Sequence, residues 1–389
     1  MTRILLISET VPPMVSSVAV ILGRVFKLFP KDSLSVLTAQ PANSQYGIFD
    51  GEKQLNGEHF YVDLPAFLSR RKHSRWLANI YDLLRIPLIV WKGFRIVRRR
   101  KINKIITTTY GGFEVAAYLI SKLTGKPLFI YLLDLYVDIE QRSFKRAFRR
   151  IFARRFFQSA AGIFVMSEPL GEYLEETYGV NSTVIPHPVE LSKYENIQPH
   201  KPSPGKRTIV YTGMIYDAHR DCMLDLIQAI RDLPDVELQI YTPRPVASLE
   251  REGIHGHNVK VSFITHHAVP AVQKGADILF LPMSFNSPYP EVIRTASPGK
   301  ISEYLAAGRP ILVYAPPYSY VAQYARSHGF GLVVDQKGSN ILGQELLRIL
   351  NNKELREDLI AKSAETVVYH EAERVANLFM REISIHSGN

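Results

Sequence analysis

Residues 297–310 read SPGKISEYLAAGRP. They hold the two side chains whose types and spacing point most directly to chemistry. Lys300 and Glu303 stand three apart, so on a helix they share a face. Ser297 suits an N-cap and Pro298 the first helical position. That puts Lys300 in the first turn, where unpaired amides and the helix dipole already attract anions. Gly299 allows a ligand close to the backbone. A carboxylate at Glu303 can accept hydrogen bonds from two neighbouring hydroxyls. A nucleoside diphosphate offers both partners, a phosphate pair and a ribose diol. Helix capping alone is the other reading of this segment, and spacing leaves both readings open.

Other chemistries are poorly served. His255, His257, His266 and His267 lack a third ligand at zinc spacing. There is no G-x-x-x-x-G-K-[ST], G-x-G-x-x-G or G-x-S-x-G. The one cysteine, Cys222, excludes an intrachain disulfide. No metal or other cofactor is expected.

The elements that must position Lys300 and Glu303 read as a parallel sheet. Apolar runs at Arg207–Tyr211, Val236–Tyr241, Val259–Phe263, Ile278–Pro282, Ile311–Tyr314 and Gly331–Val334 alternate with helical patterns at Met223–Leu233 and Ile301–Ala307. Buried parallel strands read as such unbroken runs. The first half repeats the scheme, with strands at Arg3–Ser8, Ser33–Thr38, Lys104–Thr108, Pro127–Leu133, Gly162–Met166 and Val184–Pro186. Between the halves, Leu191–Gly205 is polar and holds three prolines. The expected organisation is a Rossmann-like domain over 1–190, a linker over 191–205 and a second such domain over 206–370. A final helix over 371–389 then packs back on the first domain. Ligands of such sheets sit at the strands' carboxyl ends, so two facing domains would share a cleft.

Charge separates the halves. The net charge is +10, yet residues 1–200 carry 27 Lys and Arg against 17 Asp and Glu, and residues 201–389 carry 20 against 20. Arg70–Arg155 alone holds 21 against 5. In 142–157, RSFKRAFRRIFARRFF, Phe144, Phe148, Phe152 and Phe156 form one helical stripe. Arg142, Lys145, Arg146, Arg149 and Arg150 fill the rest. The stripe can pack on the protein's own core, or lie in a membrane interface with arginines on lipid phosphates. Trp91 with Arg98, Arg99 and Arg100 makes a second basic–aromatic cluster. No nucleic-acid module signature accompanies them, so an anionic membrane surface is the expected partner rather than RNA. No apolar run reaches the length of a membrane span, and the N-terminus lacks the pattern of a signal peptide. A cytoplasmic protein, peripheral on the inner face of the cell membrane, is expected.

Pro298–Pro310, read as P-x-K-x-x-E-Y-L-A-A-G-R-P, resembles the donor-binding signature of retaining GT-B glycosyltransferases, the family 4-like group. Tyr211–Thr212–Gly213, Ala276–Asp277–Ile278 with Leu281–Pro282, Gly329–Val334, Ser167–Glu168 and Val184–Pro188 resemble its flanking features. The resemblance implies an α/β GT-B fold and transfer of a sugar from a nucleotide-sugar to a hydroxyl, with retention and without metal. The expected acceptor is lipid-linked or polysaccharide. It implies Lys300, Arg220, Gly213 and Arg294 at the donor diphosphate and Glu303 at its ribose. Ser16 and Ser17 would form a donor loop, and Asp134, with Asp138 behind it, the acceptor contact. The pattern departs from the family at Thr295, where a first glutamate usually stands, and no lysine is evident in 216–221 beside Arg220. A GT-B sugar-nucleotide epimerase and a non-enzymatic membrane- or RNA-binding module are the alternatives.

Overall fold

A computed structural model describes residues 2–14, 16–39, 54–62, 75–109, 112–135, 143–201, 203 and 205–385, with the backbone alone over 75–83 and 143–150. The chain divides into two compact units, 1–186 with 372–389, and 187–371.

The first unit is built on a parallel sheet of seven strands. These are β1 Ile4–Ile7, β2 Leu34–Thr38, β3 Glu58–Tyr61, β4 Lys104–Thr108, β5 Leu128–Leu132, β6 Gly162–Val165 and β7 Thr183–Val184, in the order β3-β2-β1-β4-β5-β6-β7. Register places Leu6 beside both Val36 and Ile106. Alternate residues then divide between the faces. Leu5, Ile7, Ile105, Ile130 and Leu132 join one apolar cluster with helices α2 Arg75–Arg99, α3 Phe113–Thr124, α4 Ser143–Gln158 and α5 Glu168–Tyr178. Ile4, Leu6, Ile106, Phe129, Tyr131 and Phe164 join the other, against α1 Ser17–Phe26 and the C-terminal helix Ala372–Ile385. Strand β3, Glu-His-Phe-Tyr, is the one the apolar pattern misses, because an edge strand is only half-buried.

Phe379 of the C-terminal helix packs its ring against Phe26, Phe29, Tyr131 and Phe164, with centroids 4.5 to 6.4 Å apart. Phe379→Leu is expected to cost about 1–2 kcal/mol through lost ring packing. The check is the denaturant midpoint followed by tryptophan emission, since Trp76 and Trp91 both belong to this unit.

The second unit repeats the architecture with six parallel strands. They are β8 Arg207–Thr212, β9 Val236–Tyr241, β10 Val259–Ser262, β11 Ile278–Pro282, β12 Ile311–Tyr314 and β13 Gly331–Val334, in the order β10-β9-β8-β11-β12-β13. Its helices are α6 Arg220–Ile230, α7 Val246–Arg251, α8 Val269–Gly275, α9 Pro290–Thr295, α10 Lys300–Ala307, α11 Tyr320–His328, α12 Ser339–Asn351 and α13 Lys353–Val367. Two Rossmann-like domains are the GT-B architecture. In each sheet the strand order reverses beside the first strand, at β1/β4 and at β8/β11, which marks the ligand end of such folds. Residues 191–205 lie within this second unit. Tyr194 is buried there, its hydroxyl donating to Gln273 Oε1 at 2.7 Å.

Candidate functional site

The second unit's polar residues gather where β8 ends. Gly213 follows Thr212 with φ +115°, a backbone that side chains rarely tolerate. Close by stands Lys300, the first residue of α10. A Cβ on Gly213 would lie 3.1 Å from Lys300 Cε and 3.2 Å from Nζ. The ammonium also sits 4.8 Å from the centre of the Tyr211 ring. Desolvation pushes its pKa down to about 8, and Glu303, three residues on, pulls it back upward. Lys300, Gly213 and Glu303 are therefore brought together.

A chain of buried hydrogen bonds fixes the turn. Gln273 Nε2 donates to Thr212 Oγ1 at 2.9 Å. The Thr212 amide donates to the Tyr304 hydroxyl at 3.1 Å, and Tyr304 belongs to α10. The strand end and the helix that carries Lys300 are thus tied to each other, as a preorganised site needs.

Helix α10 begins later than the sequence pattern places it. Ile301 N bonds Pro298 O at 3.0 Å, and Gly299 takes the cap position without a side-chain bond. Ser297 is therefore not the N-cap. The turn through Pro298 and Gly299 moves the helix start past its reach. The Pro298 carbonyl, rather than a side chain, thus takes one amide of the first turn.

Arg220 and Arg294 each have a partner within the protein. Arg294 Nε pairs with Glu291 Oε2 at 2.8 Å, one turn back on α9. Arg220 donates weakly, at 3.4 Å, to the Glu252 carbonyl. Two neighbours of the Gly213 turn are invisible to sequence reasoning. His219 is buried, with Nδ1 3.4 Å from the Tyr211 hydroxyl. Desolvation first, then the charge of Lys300, hold its pKa well below the ordinary value, so it is neutral. Its only signal in the sequence is its place in 216–221, where the family pattern calls for cations. Arg244 donates to the Ile215 carbonyl at 3.2 Å and grips the Glu252 carboxylate, fixing the loop beyond Gly213.

In the first unit, Asp134 follows β5 at the sheet's carboxyl end. It is solvent-accessible, but the protein crowded around it raises its carboxyl to about 6 by desolvation. Ser16 caps α1. It accepts from Ala19 N at 3.0 Å and donates to Thr10 Oγ1 at 3.0 Å. Ser17 is the exposed first residue of that helix. Asp138 and Arg142 lie outside the described residues, as do the side chains of Phe144, Lys145, Arg146, Phe148, Arg149 and Arg150. Phe152 is half-buried and stacks on Phe156, which is fully buried in the core, while Arg154 and Arg155 are exposed. The described end of the stripe thus packs inward. Arg98, Arg99 and Arg100 are exposed at the end of α2. Among the described residues, no cluster of three His, Cys, Asp or Glu is placed to hold a metal ion, and no helix is long and apolar enough to cross a membrane.

Comparison with known proteins agrees with this fold. Residues 53–193 match the model of Glycosyltransferase Family 4. The chain is similar to HepE of Anabaena, solved with UDP-glucose, at 14% identity and TM-score 0.70, over 99% of this chain and 100% of that one. It is similar to the α,α-trehalose 6-phosphate synthase of Burkholderia multivorans at 12% identity and TM-score 0.70, covering 99% and 96%. A glycosyltransferase of Rickettsia africae gives 13% and 0.66, covering 100% and 99%. No curated protein sequence matches. The chain has the GT-B fold of a glycosyltransferase acting on a nucleotide-sugar, and its likeness to Glycosyltransferase Family 4 spans residues 53–193.

Proposed function

We propose that the second unit holds the donor diphosphate at Lys300 and the α10 amides and the donor ribose at Glu303. The sugar then passes, with retention, to a hydroxyl of a lipid-linked or polysaccharide acceptor. The observation that carries this reading is the Lys300 ammonium lying against the Gly213 turn, where a glycine leaves room for phosphate. The bond from the anomeric carbon to the diphosphate oxygen breaks as the bond to the acceptor oxygen forms. Negative charge builds on the leaving diphosphate, and the fixed cations and amides that await it do most to lower the barrier. In retention the acceptor proton passes to a leaving phosphate oxygen, so no separate base is required. Asp134, at the carboxyl end of β5, is the acceptor contact. Its carboxyl at about 6 leaves it mostly ionised at pH 7, able to orient a hydroxyl. The basic half then attaches the protein peripherally to the anionic inner face of the cell membrane.

UDP is the first nucleotide to test, since HepE was solved with UDP-glucose. A nucleotide at 100 times its dissociation constant stabilises by about 2.7 kcal/mol. Thermal unfolding with UDP, GDP and ADP should show one clear shift. Glu303→Ala should weaken that nucleotide roughly 10- to 100-fold, the loss of a carboxylate–diol contact. A shift retained in full by the variant would remove Glu303 from the site. Donor interconversion in the absence of any acceptor would favour the epimerase instead.

A further inference from the structure

The first unit carries a basic groove at the end of its sheet away from Asp134. Helix α2 returns the chain from the carboxyl end of β3 to the amino end of β4. A groove of about 450 Å³ opens between its last turns and edge strand β3, lined by Phe60, Trp91, Lys92, Arg95, Arg99 and Arg100. It shares Glu58 and Arg100 with a second hollow of about 660 Å³ at the amino ends of β1, β2 and β3, where Arg3 and Lys31 add charge. Within the groove Arg100 is paired with Glu58 at 2.5 Å, and Lys92 donates to the Tyr61 carbonyl at 2.5 Å. Arg95 and Arg99 have no carboxylate partner among the described residues.

The same helix shows what these cations face. Among its described side chains, the exposed positions are Leu84, Pro87, Trp91, Arg95, Arg98 and Arg99, a single stripe at helical spacing. Leu84 is 55% and Trp91 52% exposed. The stripe is apolar at one end and cationic at the other. The Arg95 guanidinium lies 4.7 Å over the Trp91 ring, and that of Arg98 lies 4.8 Å over Phe94. Cations at a helix C-terminus also suit its dipole. That accounts for Arg98 and Arg99, but not for an uncovered tryptophan about two turns earlier and a leucine about four turns earlier. An exposed apolar stripe ending in guanidinium groups without carboxylate partners is the pattern of an element lying in a headgroup layer. A nucleic-acid surface would not require the leucine.

We propose that this groove is a phospholipid headgroup site. Trp91 and Leu84 enter the lipid interface, and Arg95 and Arg99 hold the phosphate of an anionic headgroup. This deepens the peripheral attachment proposed above and rests on it, assigning the contact to α2 and β3 rather than to the stripe of α4.

The test uses the whole protein with vesicles of phosphatidylcholine alone or mixed with phosphatidylglycerol. In a Trp76→Phe background Trp91 is the sole tryptophan. Its emission should shift to the blue on anionic vesicles only. The double variant Arg95→Glu, Arg99→Glu should partition about tenfold or more weakly, with its nucleotide-induced thermal shift unchanged as proof of folding. Trp91→Ala should weaken binding to anionic vesicles as well. Equal vesicle binding by the double variant would overturn the groove while leaving peripheral attachment standing. A wild-type protein that ignores every vesicle would overturn both. A Trp91 response to millimolar inorganic phosphate without vesicle binding would point to a soluble phosphate ligand, and RNA binding in place of vesicle binding to a polynucleotide. Either would overturn the lipid assignment.

Discussion

Exchanging Lys300 for methionine is expected to lower kcat/KM roughly 10²–10³-fold, the loss typical of one preorganised charge at a developing anion. Methionine keeps the length of the side chain and its contact with Gly213, so the backbone has no reason to move. The larger signature is the pH dependence. The unliganded ammonium titrates at about 8 instead of the ordinary 10.5. A bound diphosphate stabilises the charged form, so the value must rise in the complex. Nucleotide affinity should therefore be flat below about 8. Above it, affinity should fall about tenfold per pH unit until the pKa of the complex is reached. Calorimetric titration from pH 7 to 10 reads this directly, and the Lys300→Met profile should lack the decline. An unchanged decline in the variant would assign it to another group. The unliganded fold behaves in the opposite sense. Because the native state binds fewer protons between about 8 and 10.5, stability contributed by this group rises with pH across that window. The charge that serves the ligand destabilises the empty protein, as is common in sites built for function.

The second large effect concerns acid. His370 is buried at the end of α13, with Nδ1 2.9 Å from the His187 carbonyl and Nε2 2.9 Å from the Tyr324 hydroxyl. The carbonyl can only accept, so Nδ1 carries the proton and Nε2 accepts from Tyr324 in a neutral ring. Burial drives the pKa down to about 4 from 6.5. The native state thus binds fewer protons than the unfolded chain between those values. The stability involved is fully present above 6.5 and is lost as pH falls toward 4. The loss is about 3 kcal/mol. Hydrogen exchange at Leu312 and Val313 in β12, corrected for the intrinsic pH effect, should show the second unit weakening by that amount. His370→Leu should be less stable at pH 7 and lose less on acidification. A variant with the wild-type slope would place the acid sensitivity elsewhere.

These effects centre on residues of unequal legibility. The sheets are readable because buried parallel strands are largely unbroken apolar runs, and β11, β12 and β13 match such runs residue for residue. Edge strand β3 is not, since a half-buried strand has no run to show. Lys300 and Glu303 stand out because both lie within one helical turn, where spacing alone sets the geometry. The supports of Gly213 come from far along the chain. Gln273 and Tyr304 reach Thr212 across 61 and 92 residues, and no local pattern relates them. His219 is signalled by its place in 216–221 alone, because a pattern that calls for cations skips a group whose burial keeps it neutral. Arg294 has a counter-ion, Glu291, three residues back on its own helix, a pairing that helical spacing alone allows.

The C-terminal helix has a consequence for synthesis. Residues 372–385 complete an apolar face of the first unit, yet they are translated after the whole of the second. While the chain is still growing, the surface formed by α1 with Phe129, Tyr131 and Phe164 has no Phe379 to cover it. The apolar face of the first unit is therefore completed only after the 185 residues of its neighbour have been made, and its closure is expected to follow their synthesis.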